Sequence, residues 1–218
     1  ILTNRSDIDS IIKKFKLRRQ EQKIFQLFNY IDTTRFKPHH HEKRDKHILF
    51  VGRLIEIKNL FNLFKAIKII DEFTLDLVGE GELEEELKQE AQKLNLRVNF
   101  LGLIPNEEIH ELYDKYEIFV LPSFSEGNPK ALLEAMSCGL ACVATNVRGN
   151  KEIIKHKENG FLCHTNPSSI ASAIQTVYSD DTLKQKIGHE ARKFIMEYCS
   201  LESIAHKEKR LYDKLMQA

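Results

Sequence analysis

The chain has 218 residues, 42% hydrophobic and 30% charged, enough for one full core with an appendage and short for two complete domains. Thirty-three basic residues against thirty-two acidic ones leave a net charge of +1, so no global field draws the protein to nucleic acid or an anionic bilayer; any phosphate must be held locally. No apolar run approaches the roughly 18 residues that span a bilayer, and Ile1 to Asp9 lacks a signal-peptide core, so the chain reads as soluble and cytoplasmic, with at most peripheral contact at the inner face of a membrane.

The first 36 residues differ in kind from the rest. Their pattern predicts a helix over Asp7–Phe15, a basic stretch through Lys23 and a strand over Ile24–Phe28, none of which makes a core alone; they read as the end of another domain. The cations Lys13, Lys14, Lys16, Arg18, Arg19 and Lys23 lack the spaced aromatic residues that stack on bases, and a solvated helix end accounts for them better than a lipid or polyanion site. After Pro38, the run His39 to His41 with Glu42 has the chemistry of a soft-metal site but lies in a polar connector with no second ligand cluster. The linker reading is favoured and no metal is expected.

From Lys46 onward, short β-branched runs alternate with helical patterns, the rhythm of βαβ units around a parallel sheet. The predicted strands are His47–Val51, Thr74–Val78, Val98–Leu101, Ile118–Leu121, Ala141–Thr145 and Gly160–Cys163. The predicted helices are Leu60–Asp71, Leu83–Leu94, Glu107–Lys115, Lys130–Cys138, Ser168–Tyr178, Asp181–Tyr198 and Leu201–Met216, the last with Ile204, Leu211 and Leu215 on one face. The acidic run Glu80 to Glu90 needs no ligand, since carboxylates in a first turn complement the helix dipole. The four thiols, Cys138, Cys142, Cys163 and Cys199, form neither a Cys-x-x-Cys pair nor a metal spacing and read as small buried hydrophobes.

Between Ser123 and Gly139, a short loop and one helix carry two carboxylates, Glu126 and Glu134, at a spacing of eight. Asn128 is expected as N-cap and Pro129 as first helical residue, leaving unpaired N–H groups at Lys130, Ala131 and Leu132 that suit a phosphate. A rise of ~1.5 Å per residue sets Glu134 roughly 9 Å from Asn128, about the reach from a diphosphate to a ribose. The bland alternative is one carboxylate near a helix start and one on a solvated flank. A glycosidase pair fits poorly, because its two acids must flank the bond from opposing walls.

A second constellation follows the first strand. In Gly52-Arg53-Leu54-Ile55-Glu56-Ile57-Lys58-Asn59, Gly52 permits a tight turn and two cations stand five residues apart in a loop entering a helix. Ligands of open α/β sheets lie outside the carboxyl ends of the strands where strand order reverses, so Arg53 and Lys58 are candidates to face the Glu126 loop; taken alone, a pair of surface cations is the favoured reading, and only the second motif reverses this.

Together, the Gly-Arg-Leu-x-x-x-Lys loop at 52 to 58 and the Glu-x7-Glu motif resemble the C-terminal half of retaining glycosyltransferases of the GT-B fold, family 4. Further landmarks, in order, are Leu77-Val78-Gly79-Glu80-Gly81, Phe100-Leu101-Gly102, Leu121-Pro122-Ser123, Glu134-Ala135-Met136 with Gly139, and Asn159-Gly160-Phe161-Leu162. The resemblance implies a Rossmann-like α/β domain, a parallel sheet flanked by helices, over residues 37–218. Residues 1–36 would be the remnant of an N-terminal acceptor domain and its hinge.

By that resemblance Arg53 and Lys58 match the cations that bind the donor's diphosphate and stabilise its charge as the glycosidic bond breaks, in place of a metal ion. Glu126 matches the carboxylate that orients the donor sugar and Glu134 the one that accepts from the ribose hydroxyls. The amides of Gly127, Asn128 and Lys130, around Pro129, would lie close to sugar and phosphates, with Asn128 and Lys130 bearing on sugar choice. Gly102 and Leu103 match the resting place of the nucleobase and Gly79 a glycine that leaves space beneath the nucleotide, while Gly52, at the turn that opens the first loop, is counted with the donor-binding residues.

The implied reaction moves a sugar from a nucleotide diphosphate to the hydroxyl of a glycan or lipid-linked acceptor with retention, the leaving phosphate taking the acceptor's proton. No cofactor or metal is required. The chain departs from the family pattern at Tyr30, where a hinge glycine is usual, and at Arg148-Gly149-Asn150, where two glycines usually precede the acid that is here Glu152. It begins with Ile1, which suits a fragment, so binding of a nucleoside diphosphate is expected and transfer without an N-terminal half is expected to be small. Two other classes stay open: a non-catalytic nucleotide-sugar-binding module or subunit, and a nucleotide-sugar epimerase on the same scaffold.

Overall fold

The computed structural model describes residues 12–14, 16, 27–38 and 42–216. The expected helix over Asp7–Phe15 and strand over Ile24–Phe28 fall largely outside these residues, as do Arg18, Arg19, Lys23 and His39 to His41; residues 27–30 carry no regular structure.

Six parallel strands form one sheet: β1 (His47–Val51), β2 (Thr74–Val78), β3 (Val98–Phe100), β4 (Ile118–Leu121), β5 (Ala141–Thr145) and β6 (Phe161–Cys163), in spatial order β3-β2-β1-β4-β5-β6. This is a doubly wound, Rossmann-like α/β sheet, as expected from the sequence. β1, β2, β4 and β5 have the predicted bounds; β3 ends one residue early, at Phe100, and β6 begins one residue late, at Phe161. Every residue of β4 and β5 is buried, the signature of strands covered on both faces, which is why they read as unbroken apolar runs.

The helices are α1 (Leu60–Ile70), α2 (Glu84–Lys93), α3 (Ile109–Tyr113), α4 (Lys130–Ser137), α5 (Arg148–Ile153), α6 (Pro167–Ser179), α7 (Asp181–Tyr198) and α8 (Leu201–Met216). α1 packs on α6, and α4 on α7. α1 buries Leu60, Leu63, Phe64, Ile67 and Ile70 at three- and four-residue spacing, each side chain contributing roughly 1.5–3 kcal/mol of apolar burial. α3 is shorter than the predicted Glu107–Lys115 because turns flank it: Glu108 and Ile109 both donate to the Pro105 carbonyl, and Lys115 to that of Leu112. α5 was not expected at all; six residues are too few for an apolar period to show.

α4 ends in a Schellman motif. Gly139 N–H bonds the Met136 carbonyl at 3.1 Å and Leu140 N–H that of Ala135 at 3.1 Å, with Gly139 at φ 75°, a conformation glycine adopts without a Cβ penalty. All four cysteines are free and buried, and burial pushes the thiols of Cys138, Cys163 and Cys199 up to about 12. They pack as apolar groups.

Residues 27–38 form a strap across the domain. Ile31 N–H bonds the Cys199 carbonyl at 2.8 Å, and Leu201 N–H bonds the Ile31 carbonyl at 3.2 Å. Arg192 on α7 donates to the carbonyls of Thr33 (2.9 Å), Phe36 (2.7 Å) and Ser137 (2.9 Å). In α8, Ile204 and Leu211 are buried as predicted; the Leu215 side chain lies outside the described residues.

Candidate functional site

Strand order reverses between β1 and β4, and at their carboxyl ends two loops face each other: 52–59 after β1 and 122–129 after β4. A backbone bond from Phe124 N–H to the Ile57 carbonyl (2.8 Å) joins them. Asn59, in the left-handed region at φ 58°, staples them further, its amide donating to the carbonyls of Pro122 and Thr165 at 2.9 Å each.

Three glycines lead into this crevice from β3, β2 and β1. Gly79 N–H bonds the Gly102 carbonyl at 2.8 Å, and a Cβ on Gly79 would run into the Gly52 carbonyl. Gly79 has φ 127° and Gly102 φ 64°, so both need glycine's freedom. A Cβ on Gly102 or Gly127 would meet nothing within 4 Å, so both open outward; Leu103 beside Gly102 is 69% exposed.

Lys58 and Glu126 meet directly. Lys58 Nζ lies 2.6 Å from Glu126 Oε1, and Ser123 Oγ donates to that same oxygen at 2.6 Å. The pair is largely shielded, with side chains 16% and 9% exposed, so separating it would leave a charge poorly solvated. Thr145 at the end of β5 donates to the Ser123 carbonyl (2.5 Å), and Gly149 N–H on α5 donates to the Glu126 carbonyl (3.1 Å). A Cβ on Gly149 would collide with the carbonyls of Glu126 and Gly127, so the Glu126 loop rests on bare α5 backbone. Arg53, in the loop after β1, is exposed and makes no hydrogen bond or ion pair among the described residues.

The start of α4 corrects one expectation. Pro129, with extended ψ of 101°, is the N-cap, Lys130 is the first helical residue, and no side chain caps the helix; Asn128 therefore sits one position too early to reach the first amides. Its carboxamide Oδ1 and Nδ2 are both buried without a partner among the described residues, and its carbonyl accepts from Asn29 of the strap at 3.1 Å. Leu133 N–H begins the helical ladder on the Pro129 carbonyl (3.2 Å), so the amides of Lys130, Ala131 and Leu132 precede it.

Glu134 is no solvated flank residue. It is 6% exposed, with Oε2 accepting from Tyr113 Oη at 3.0 Å and Oε1 3.6 Å from Lys130 Nζ. Burial pushes its carboxyl above the usual range, outweighing the opposing Lys130 charge, the Tyr113 hydrogen bond and the Arg35 charge. Asn59, Ser123 and Gly149, which the sequence offers only as parts of motifs with no role assigned, shape the site, as do Thr145 and Tyr113, for which no local signal exists.

The model for glycosyl transferases group 1 matches residues 32–194. The chain belongs to that family. An uncharacterized glycosyltransferase of Methanocaldococcus jannaschii is 35% identical over 179 residues, which cover 79% of this chain and 46% of that protein. The Escherichia coli UDP-Gal:alpha-D-GlcNAc-diphosphoundecaprenol alpha-1,3-galactosyltransferase is 35% identical over 170 residues, 74% of this chain and 44% of its own. The chain spans about half the length of these glycosyltransferases. Anabaena Alr3699/HepE in complex with UDP superposes with a TM-score of 0.86 at 20% identity, over 100% of this chain and 63% of its own, a likeness of fold.

Proposed function

We propose that this chain supplies the donor-binding, C-terminal half of a retaining GT-B glycosyltransferase of family 4, with residues 37–218 holding a nucleotide sugar and an acceptor-binding domain belonging to the N-terminal side of residues 1–36. The observation that carries this reading is the Lys58–Glu126 pair, 2.6 Å apart across the switch point of the sheet. It sets a cation for the diphosphate beside a carboxylate for the sugar, in one crevice.

In this reading Arg53 and Lys58 bind the diphosphate and meet the charge it gains as the anomeric C–O bond breaks, in place of a metal ion. The acceptor oxygen bonds to the anomeric carbon on the face the leaving group vacates, and its proton passes to the departing diphosphate. Glu126, held by Lys58 and Ser123, orients the sugar. Amides of Gly127 through Lys130, around Pro129, line the sugar and phosphates, and Glu134 accepts from the ribose. Gly52, Gly79 and Gly102 form a side-chain-free floor toward the base, which rests near Leu103.

The acceptor is a glycan or lipid-linked glycan, a reading supported by the diphosphoundecaprenol-linked acceptor in the name of the E. coli relative. No helix among the described residues is long and apolar enough to cross a membrane. Calorimetry with UDP, GDP and ADP tests the binding step. UDP heads the panel because two of the similar proteins carry uridine nucleotides in their names. Heats equal to buffer dilution for all three overturn the reading.

A further inference from the structure

Tyr113 takes no part in the reaction just outlined, yet it is the only neutral side chain bonded to Glu134 among the described residues. It closes α3, is fully buried, and its ring is wedged between Phe36 of the strap (centroids 6.1 Å, 65° between planes) and Phe119 of β4 (6.1 Å, 55°). Among the described residues the phenol has two acceptors, Glu134 Oε2 at 3.0 Å and the Ala131 carbonyl at 3.4 Å. Burial and the Glu134 charge push its own ionisation well above the ordinary value, so it stays a donor at any working pH.

Glu134 is thereby held asymmetrically. A carboxylate offers about four lone-pair sites. Here Oε2 meets a donor locked in the core, while Oε1 has, among the described residues, only the Lys130 ammonium, 3.6 Å away on a side chain 57% exposed. One oxygen is fixed and the other retains acceptor capacity.

We infer that Tyr113 is a positioning residue for the nucleotide donor: its hydroxyl orients the Glu134 carboxylate so that the remaining acceptor sites meet the ribose diol. This rests on the proposed role of Glu134. The strap extends the argument, because Phe36, whose carbonyl Arg192 holds, backs the Tyr113 ring and so links residues 27–38 to the ribose contact.

The groups facing Glu134 are Tyr113 from α3, Lys130 from its own helix, Arg35 from the strap and the neutral Cys138 thiol one turn on. Removing the phenol's hydrogen bond takes away one of the influences that keep the buried carboxyl ionised, so loss of nucleotide binding on acidification should begin at higher pH in Tyr113→Phe.

The test is calorimetry of wild type, Tyr113→Phe and Glu134→Ala with UDP, GDP and ADP, and with the 2′-deoxy and 3′-deoxy forms of whichever binds, between about pH 5 and pH 8. Tyr113→Phe is expected to weaken the ribonucleotide about fivefold to tenfold at neutral pH and the deoxy forms less, with the acid limb moved upward. Equal weakening of ribo and deoxy ligands with an unmoved acid limb, even alongside a lowered melting temperature, overturns the inference, as does unchanged binding where Glu134→Ala weakens it. Unchanged binding in Glu134→Ala removes the ribose reading beneath, and the inference falls with it.

Discussion

Two carboxylates, Asp76 within the sheet and Glu134 on the helix after β4, behave differently. Asp76, in the middle of β2, is fully buried, and its two oxygens accept from Tyr116 (2.5 Å), His47 (2.9 Å), Arg44 (3.1 Å) and Asn99 (2.6 Å). Burial pushes its carboxyl up, but the bonds from Tyr116, His47 and Asn99 more than reverse this and leave it below the ordinary value. In the crevice at the carboxyl ends, Glu134 has one short donor and stays above its ordinary value. Asn128's carboxamide is unmatched there among the described residues, and two glycines face open space. The same side-chain types make a saturated brace within the sheet and an unsaturated site at the carboxyl ends of its strands. Residual hydrogen-bonding capacity, rather than charge alone, marks where a ligand belongs.

The largest effect expected from breaking this contrast is at the brace. Asp76→Ala strands Tyr116, His47, Arg44 and Asn99 and should cost about 3–5 kcal/mol in denaturant unfolding. Nucleotide affinity should hold wherever the variant remains folded, and a loss below about 1 kcal/mol would show that the cluster braces nothing. At the crevice, Lys58→Ala should leave stability closer to wild type and cut kcat in an enzyme with both halves by about 10²–10³-fold, as removal of one donor to a developing anion does. Wild-type turnover would strike Lys58 from the mechanism.

Gly149→Ala probes the α5 platform, because a methyl there must displace the Glu126 loop. A destabilisation of about 1–3 kcal/mol is expected, together with weaker nucleotide binding by calorimetry. The pH dependence separates the two clusters by sign. Asp76, lowered when folded, adds stability above its ordinary value of 3.8 that is lost as pH falls through the depressed one. Glu134, raised when folded, adds stability that is full below its ordinary value of 4.5 and is lost as pH rises through the elevated one. Glu134→Gln should therefore stabilise the ligand-free protein at neutral pH by up to about 1 kcal/mol while weakening nucleotide binding, a trade that a purely structural Glu134 would not show. Arg53→Ala completes the set. With no partner among the described residues it should change stability by less than about 0.5 kcal/mol and reduce affinity for nucleoside diphosphates several-fold.

Much of this was legible before any coordinates. Four of six strands have their predicted bounds because short β-branched runs bounded by polar turns have few other ways to bury both faces. The helices Asp181–Tyr198 and Leu201–Met216 also match the expected ranges, since their apolar period runs for several turns. Local chemistry failed where competition was close: Asn128 is a good capping residue, yet the extended Pro129 after it moves the cap. Tyr113 and α5 had no readable sign, because a phenol on an apolar helix face looks like core and a six-residue helix has no period.

The order of residues thus determined the rhythm of strands and helices, a near-neutral charge under which any phosphate would have to be held locally, and the paired carboxylates and cations as candidates. Only the tertiary structure decided that Lys58 meets Glu126, that Glu134 is buried against Tyr113, and that Asp76 is fully bonded. Periodicity is written in neighbours along the chain. Which polar groups are satisfied depends on atoms brought within hydrogen-bonding distance from segments dozens of residues apart, and sheet order sets those distances.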